Sequence, residues 1–122
     1  MSLPQTAGEF LLVSNSSCSK SRATQALLEA RGVAFTERRY LEQPLTLDEL
    51  RELGRRLELA PADWIRSREA PYAELGLGPD SSEDELLAAI AAHPVLLERP
   101  ILVDHARARV GRPPEKVLEL FE

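Results

Sequence analysis

The hydrophobic pattern at the start of the chain predicts a strand, a loop, a helix and a second strand. Residues 9–14 form a short apolar run that is typical of a buried strand, and a polar run at 15–22 follows it. A helix is predicted from about Ser21 to Arg31, because apolar residues recur there at helical spacing and a glycine follows. Residues 33–41 are rich in β-branched and aromatic side chains, which favours a second strand. The polar run therefore lies where a strand gives way to a helix.

The middle of the chain, residues 45–93, carries helical signals only. Thr46 with Glu49 forms the sequence pattern of a capping box, as does Ser82 with Glu85. Leucines at helical spacing follow each pair, and a proline between them is suited to the first turn of a shorter helix. We therefore expect an all-helical block in this part of the chain.

Strand character returns near the C-terminus. Residues 101–104 and 107–110 fit two short strands around a tight turn, and Pro113 or Pro114 can start a last helix. The predicted order is β-α-β, a helical block, then β-β-α. This order indicates a single α/β domain over residues 1–122, with a helical insertion at about 45–93.

Composition and charge exclude several function classes. The chain has 122 residues, of which 43% are hydrophobic, and a net charge of −5 without a block of lysines or arginines. This charge pattern argues against a nucleic-acid-binding surface. No apolar run reaches the roughly 18 residues of a membrane helix, and the N-terminal residues lack the features of a signal peptide. We expect a cytoplasmic, monomeric protein that binds neither nucleic acid nor membrane.

The candidate chemistry centres on the single cysteine, Cys18. A cysteine at the start of a helix faces backbone N–H groups, which favour its thiolate, and the basic residues Lys20 and Arg22 add positive charge nearby. The same N–H groups and the serine hydroxyls around Cys18 are suited to hold an oxyanion. The thiolate is the nucleophilic form of the side chain, so this position predicts a reactive cysteine rather than a buried structural one.

Spacing excludes several other kinds of cysteine site. A redox pair of the C-x-x-C type needs a cysteine at position 21, where Ser21 stands, and one cysteine cannot form an intramolecular disulfide. A phosphate-binding C-x5-R loop needs an arginine at position 24, where Thr24 stands. The two histidines, His93 and His105, are distant in sequence from Cys18, which argues against a metal site.

These residues resemble the glutaredoxin- and glutathione-dependent arsenate reductases. The signature of that family is similar to Asn15-x-x-Cys18-x-x-Ser21-Arg22, and further blocks follow in family-like order over roughly residues 10–121. The blocks are Ile65-Arg66, Glu69-Ala70-Pro71-Tyr72, Leu75-Gly76-Leu77, His93-Pro94, Glu98-Arg99-Pro100-Ile101 and Arg109-Val110-Gly111-Arg112-Pro113. The resemblance implies a thioredoxin-like fold with a helical insertion.

The resemblance also implies a role for each site residue. Cys18 matches the nucleophile, and the matches to the three oxyanion-binding arginines are Arg66, Arg99 and Arg112. Pro100 matches a cis-proline that faces the cysteine. The loop around the cysteine would be ordered by Asn15, Ser21 and Arg22. Arginine suits this chemistry because its planar fork stays charged and binds a tetrahedral oxyanion bidentately.

The reaction that the resemblance implies needs thiols from other molecules. The Cys18 thiolate would attack arsenate and expel water, glutathione would attack the adduct, and glutaredoxin would complete the reduction to arsenite. Glutathione is then a co-substrate and glutaredoxin a transient partner, with no bound cofactor and no metal. A single cysteine fits this scheme, because the resolving thiol comes from another molecule.

Two departures from the family pattern keep alternatives open. Ser14 stands where many of these reductases carry a histidine, and Ser16 where they carry a proline. One alternative is a glutathione-dependent thiol reductase that acts on another substrate. A second is a regulatory adaptor of the same fold that binds RNA polymerase, although adaptors of that kind use a C-x-x-C pair and Ser21 removes it.

Overall fold

A mixed four-stranded sheet forms the centre of the computed structural model, which describes residues 3–122. Its strands are β1 (Leu11–Ser14), β2 (Thr36–Arg39), β3 (Ile101–Val103) and β4 (Ala108–Val110), in the order β2-β1-β3-β4. β1 is parallel to β2 and antiparallel to β3, which in turn is antiparallel to β4. Because β1 lies inside the sheet, all four of its residues are buried, as its continuous apolar pattern predicts.

The described residues also form the helices α1 (Ser19–Ala30), α2 (Leu47–Leu57), α3 (Ala70–Glu74) and α4 (Glu83–Ala92). Short 3-10 helices occupy Pro61–Asp63, Pro94–Leu96 and Pro114–Phe121. Both predicted capping boxes are present, at the starts of α2 and α4. The order of elements agrees with the prediction from sequence. Within residues 3–122, no helix is both long and apolar enough to cross a membrane.

Several predicted bounds, and one helix type, differ from the structure. The strands β1, β3 and β4 cover 11–14, 101–103 and 108–110 instead of 9–14, 101–104 and 107–110. α1 begins at Ser19 instead of Ser21, because the chain is already helical directly after Cys18. The second strand covers 36–39 instead of 33–41, because Val33 and Phe35 pack against the core and the pairing with β1 begins only at Thr36. The last helix is a 3-10 helix along its whole length, not an α-helix.

The core lies on both faces of the sheet. Successive side chains of a strand point to opposite faces, so Leu12 and Leu102 pack with α1 and the C-terminal 3-10 helix, through Leu28 and Val117. The alternate positions of β1 and β3 pack against the helical block, where Trp64 is fully buried. Packing on both faces of the sheet fixes the end of β1 and the start of α1. The polar loop connects these two elements.

Candidate active site

Cys18 lies at the N-terminus of α1. It is the N-cap residue, with extended backbone angles of φ −92° and ψ 127°, and it is 9% exposed. Its carbonyl accepts the first hydrogen bond of the helix, from the N–H of Arg22 at 3.1 Å, and its own N–H donates to the carbonyl of Asn15 at 2.9 Å. The backbone therefore fixes the cysteine from both sides.

Hydrogen bonds from side chains brace the loop that precedes Cys18. The N–H of Asn15 donates to Ser21 Oγ at 3.1 Å, and Asn15 Oδ1 accepts from the N–H of Ser17 at 3.0 Å. Arg22 Nη1 donates to the carbonyl of Ser16 at 3.0 Å. The structure thus places Asn15, Ser21 and Arg22 around one loop, in positions from which they can order it.

The surroundings of the thiol favour its ionised form. Burial, the largest effect, raises the pKa of the Cys18 thiol. The backbone amides of Ser21 and Lys20, the charge of Arg99 and the Ser21 hydroxyl act in the opposite direction and together hold this pKa below its ordinary value. Cys18 therefore has the environment of a nucleophilic cysteine.

Arg112 connects the cysteine to a second charged residue pair. Its Nη2 donates to Cys18 Sγ at 3.8 Å, while its Nε donates to the carbonyl of Arg99 at 2.8 Å and lies 3.1 Å from Glu98 Oε1. The same carboxylate oxygen is 3.4 Å from Arg99 Nη1 and accepts from the N–H of Arg99 at 3.1 Å. Glu98 therefore holds the two arginines side by side.

Arg66 reaches the same region from the helical block. The N–H of Arg66 donates to the carbonyl of Leu96 at 2.7 Å, which ties its backbone to the segment that precedes β3. Its Nη2 pairs with Glu69 Oε2 at 3.3 Å, and Nη1 reaches the carbonyl of Val95 at 3.5 Å. The side chain is 23% exposed, so it remains open to solvent on one side.

The three arginines line one open cleft of about 340 Å³, together with Ile65, Ser67, Arg68 and Glu98. Cys18 does not line this cleft, and Arg112 contacts the cysteine sulfur as well as lining the cleft. The Nε of Arg99 is buried and has no hydrogen-bond partner among residues 3–122. The cleft is therefore lined by arginine donors beside a thiol that favours ionisation, which is the arrangement that an oxyanion needs.

The Arg99–Pro100 peptide bond is cis, the geometry that the family resemblance implies. Pro100 packs close to Gly111 and Thr24: a Cβ atom built on Gly111 would lie 2.9 Å from Pro100 Cγ and 2.8 Å from Thr24 Oγ1. A side chain at position 111 would therefore push against Pro100, the residue before β3, and against Thr24 of α1. The Arg112–Pro113 bond is also cis, which no feature of the sequence had indicated.

Tyr40 belongs to the same surroundings and was not singled out from the sequence. It follows β2 directly and is 1% exposed. Burial, the largest effect, raises the pKa of Tyr40, while the charges of Arg99 and Arg66 and the side chain of Asn15 lower it. These influences place its hydroxyl near the arginines and the cysteine loop. The only signal in the sequence was a polar aromatic residue at the end of a predicted strand.

Two further observations bear on the predicted site. Ser14, at the position where many relatives carry a histidine, is buried at the end of β1, and its hydroxyl has no partner within residues 3–122. In the same range, no group of three or more histidine, cysteine, aspartate or glutamate side chains is arranged to hold a metal ion.

Comparison with known proteins identifies the family. Residues 13–120 match the ArsC family. An arsenate reductase of Neisseria meningitidis is 46% identical over 111 residues, which cover 89% of this chain and 95% of that protein. An arsenate reductase of Haemophilus influenzae is 38% identical over 113 residues, covering 91% and 97% of the two chains.

The solved structure of an arsenate reductase from Vibrio cholerae superposes with a TM-score of 0.88 at 45% identity, over 93% of this chain and 98% of the other. This likeness confirms the predicted thioredoxin-like fold and the resemblance drawn from the sequence blocks. With its family match over nearly the whole length and its close relatives, this chain belongs to the ArsC family.

Proposed function

We propose that this protein is an oxidoreductase that reduces arsenate to arsenite through Cys18, with thiols supplied by glutathione and glutaredoxin. The observation that supports it most is the position of Arg112. One guanidinium contacts Cys18 Sγ at 3.8 Å and also lines the cleft that Arg66 and Arg99 share. An anion held by these arginines would lie beside the thiolate that attacks it. The named activity of the relatives supports the choice of arsenate.

The first step is the attack of the Cys18 thiolate on arsenic. A sulfur–arsenic bond forms, and one arsenate oxygen leaves as water after it takes up protons. Nucleophile and substrate are both negative, so their approach needs positive charge that is already in place. Arg112 supplies that charge at the sulfur, and Arg99 and Arg66 supply it along the cleft.

The remaining steps transfer two electrons to arsenic. Glutathione attacks the arsenic adduct and forms a second sulfur–arsenic bond, while a second arsenate oxygen takes up protons and leaves as water. Glutaredoxin then attacks the glutathione sulfur, so that the two sulfurs become a mixed disulfide and the electron pair of the broken bond stays on arsenic. Water releases arsenite from Cys18, whose thiolate is restored. This scheme needs one cysteine in the protein, and Cys18 is the only one.

Glu98 has a positioning role in this proposal. Its carboxylate lies 3.1 Å from Arg112 Nε and 3.4 Å from Arg99 Nη1, so it offsets the repulsion between the two guanidinium groups before substrate binds. The contact uses Arg112 Nε and leaves its Nη2 on the sulfur. The two arginines can then stay close together in the free enzyme.

A second function is kept because of one observation. Ser14 carries a buried hydroxyl, without a partner among residues 3–122, where a histidine would add a titratable group beside the cysteine loop. A glutathione-dependent thiol reductase of another substrate would keep Cys18 and the cleft without that histidine. For both functions we propose a monomeric enzyme of the cytoplasm, where thiols stay reduced. Glutathione is then the co-substrate, and no cofactor is bound.

The test is arsenite production by the purified protein with arsenate, glutathione, glutaredoxin and coupled recycling of the oxidised thiols. We expect turnover that requires both thiol partners and is lost in Cys18→Ser. A Cys18→Ser variant that retains full activity would overturn the mechanism. Absence of turnover in the wild type, with Cys18 still reacting as a thiolate, would favour the second function.

A further inference from the structure

The arginine cleft is larger than an arsenate ion requires. The cleft has a volume of about 340 Å³ and is lined by four arginines. A tetrahedral oxyanion has only four oxygens. The volume instead falls in the range of sites for small organic molecules, about 300–1,000 Å³. Part of the cleft therefore remains open after an oxyanion has bound beside Arg112.

The open part contains an arginine that the oxyanion site does not use. Arg68 lines the cleft beside Ser67, at the exposed turn that follows Arg66. Arg66, Arg99 and Arg112 each make an ion pair with a glutamate. Arg68 makes no hydrogen bond or ion pair within residues 3–122. It is therefore a cation that is available to a second anionic group.

We propose that Arg68 binds a carboxylate of the thiol co-substrate, so that the cleft holds a small anionic peptide thiol such as glutathione next to the oxyanion. This inference rests on the proposed function, because it takes Cys18 and the cleft as parts of one site. The attacking thiol has to reach an atom bonded to Cys18. Arg112 contacts the Cys18 sulfur and also lines the cleft, so a thiol bound in the cleft lies close to that atom. A carboxylate on the same molecule can then extend towards Arg68, whose fork binds it bidentately.

The charges of the cleft favour a co-substrate of this kind. Four arginines line it, and among the described residues Glu98 is the only carboxylate in the lining. An anionic thiol is therefore attracted to the cleft more strongly than a neutral thiol, and Arg68, unpaired within residues 3–122, contributes to that attraction. Arg68 is exposed to solvent, so its attraction for a carboxylate is moderate and is screened by salt.

The test uses a reaction that needs no arsenate. The Cys18 thiolate attacks one sulfur of glutathione disulfide; the disulfide bond breaks, a mixed disulfide with Cys18 forms, and one glutathione thiolate leaves. The rate is followed by intact mass for wild type, Arg68→Gln and Arg68→Lys. Hydroxyethyl disulfide is the control substrate, because it carries no charge and has no carboxylate for Arg68 to bind. Arg51→Gln is the matched variant, because it removes an exposed arginine that does not line this cleft.

We expect Arg68→Gln to slow the reaction with glutathione disulfide about three- to tenfold and to leave the reaction with hydroxyethyl disulfide unchanged. Arg68→Lys should restore part of the rate, Arg51→Gln should match the wild type, and high salt should reduce the difference. Equal slowing with both disulfides, no slowing at all, or no reaction of Cys18 with either disulfide would overturn the inference. A selective effect of Arg68→Gln in a protein that does not turn over arsenate would leave this inference standing and the proposed substrate refuted.

Discussion

Replacing Ser21 by alanine tests whether its hydroxyl stabilises the cysteine loop and lowers the pKa of Cys18, without changing any of the arginines. The hydroxyl of Ser21 accepts from the N–H of Asn15 at 3.1 Å, and it is one of the groups that lower the pKa of the Cys18 thiol. A hydroxyl can do both, because it has one donor and two acceptor positions. Ser21 is 2% exposed, so water does not readily replace the lost group. The substitution should therefore affect both stability and reactivity.

The expected magnitudes follow from these two effects of the Ser21 hydroxyl. A buried donor that loses its acceptor costs about 1–3 kcal/mol, and because Asn15 is only partly buried we expect a loss of about 1–2 kcal/mol in the free energy of unfolding. Loss of the hydroxyl donor also removes one of the groups that lower the pKa of Cys18, so this pKa should rise. At neutral pH the variant then holds less thiolate and reacts more slowly. Above the thiol pKa the two proteins should react at similar rates.

Two assays measure these effects: urea unfolding, and the rate of alkylation by iodoacetamide as a function of pH. Ser19→Ala is the matched control, because Ser19 is exposed at the first position of α1. The control should change the free energy of unfolding by less than about 0.5 kcal/mol. If Ser21→Ala has the stability of the wild type and the same pH profile of alkylation, the hydrogen bonds of Ser21 neither stabilise the loop nor lower the pKa of the thiol.

Three further predictions concern other parts of the site. Arg112→Lys should lower kcat/KM for arsenate about ten- to hundredfold, because one ammonium nitrogen cannot take the places of both Nη2 at the Cys18 sulfur and Nε at the Arg99 carbonyl. A charge-assisted hydrogen bond of this kind contributes about 1.5–3 kcal/mol. Unchanged kinetics would remove Arg112 from the site. Gly111→Ala should destabilise the fold by about 1–3 kcal/mol in denaturant unfolding, whereas Gly78→Ala, which meets open space, should not; equal effects would refute the packing argument. Folding lowers the pKa of Cys18. The free energy of unfolding of the wild type, relative to that of Cys18→Ser, should therefore be greatest above the unfolded thiol pKa of about 8.5 and should fall as the pH drops through the folded pKa. A difference between the two proteins that does not vary with pH would contradict the lowered pKa.

The sequence predicted the elements of this fold well because their signals are local. The buried run of β1 and the capping boxes at Thr46 and Ser82 depend on residues within a few positions of each other. The end of a strand was harder to place. Val33 and Phe35 have the composition of a strand, but the position of β1 decides where pairing begins, and that is at Thr36.

The candidate site depended on contacts that no local pattern shows. Cys18 could be singled out because the helix start lies beside it in sequence, but the contact of Arg112 with its sulfur joins residues 94 positions apart. The arginines were singled out by the family resemblance alone. Glu98 and Tyr40 were missed as site residues because a glutamate next to an arginine, or a tyrosine at the end of a strand, has no distinctive pattern. Their roles follow from the three-dimensional structure, which places both near Arg99.

The central claim is that Cys18 and the arginine cleft form one oxyanion site, and protection of the cysteine tests it most directly. The measurement is the rate of Cys18 alkylation by iodoacetamide with and without arsenate, followed by intact mass in the wild type and in Arg99→Gln. The account predicts that arsenate slows alkylation of the wild type in a saturable manner, and that Arg99→Gln needs a much higher arsenate concentration for the same protection. An alkylation rate that arsenate does not change in the wild type, or equal protection in both proteins, would contradict it.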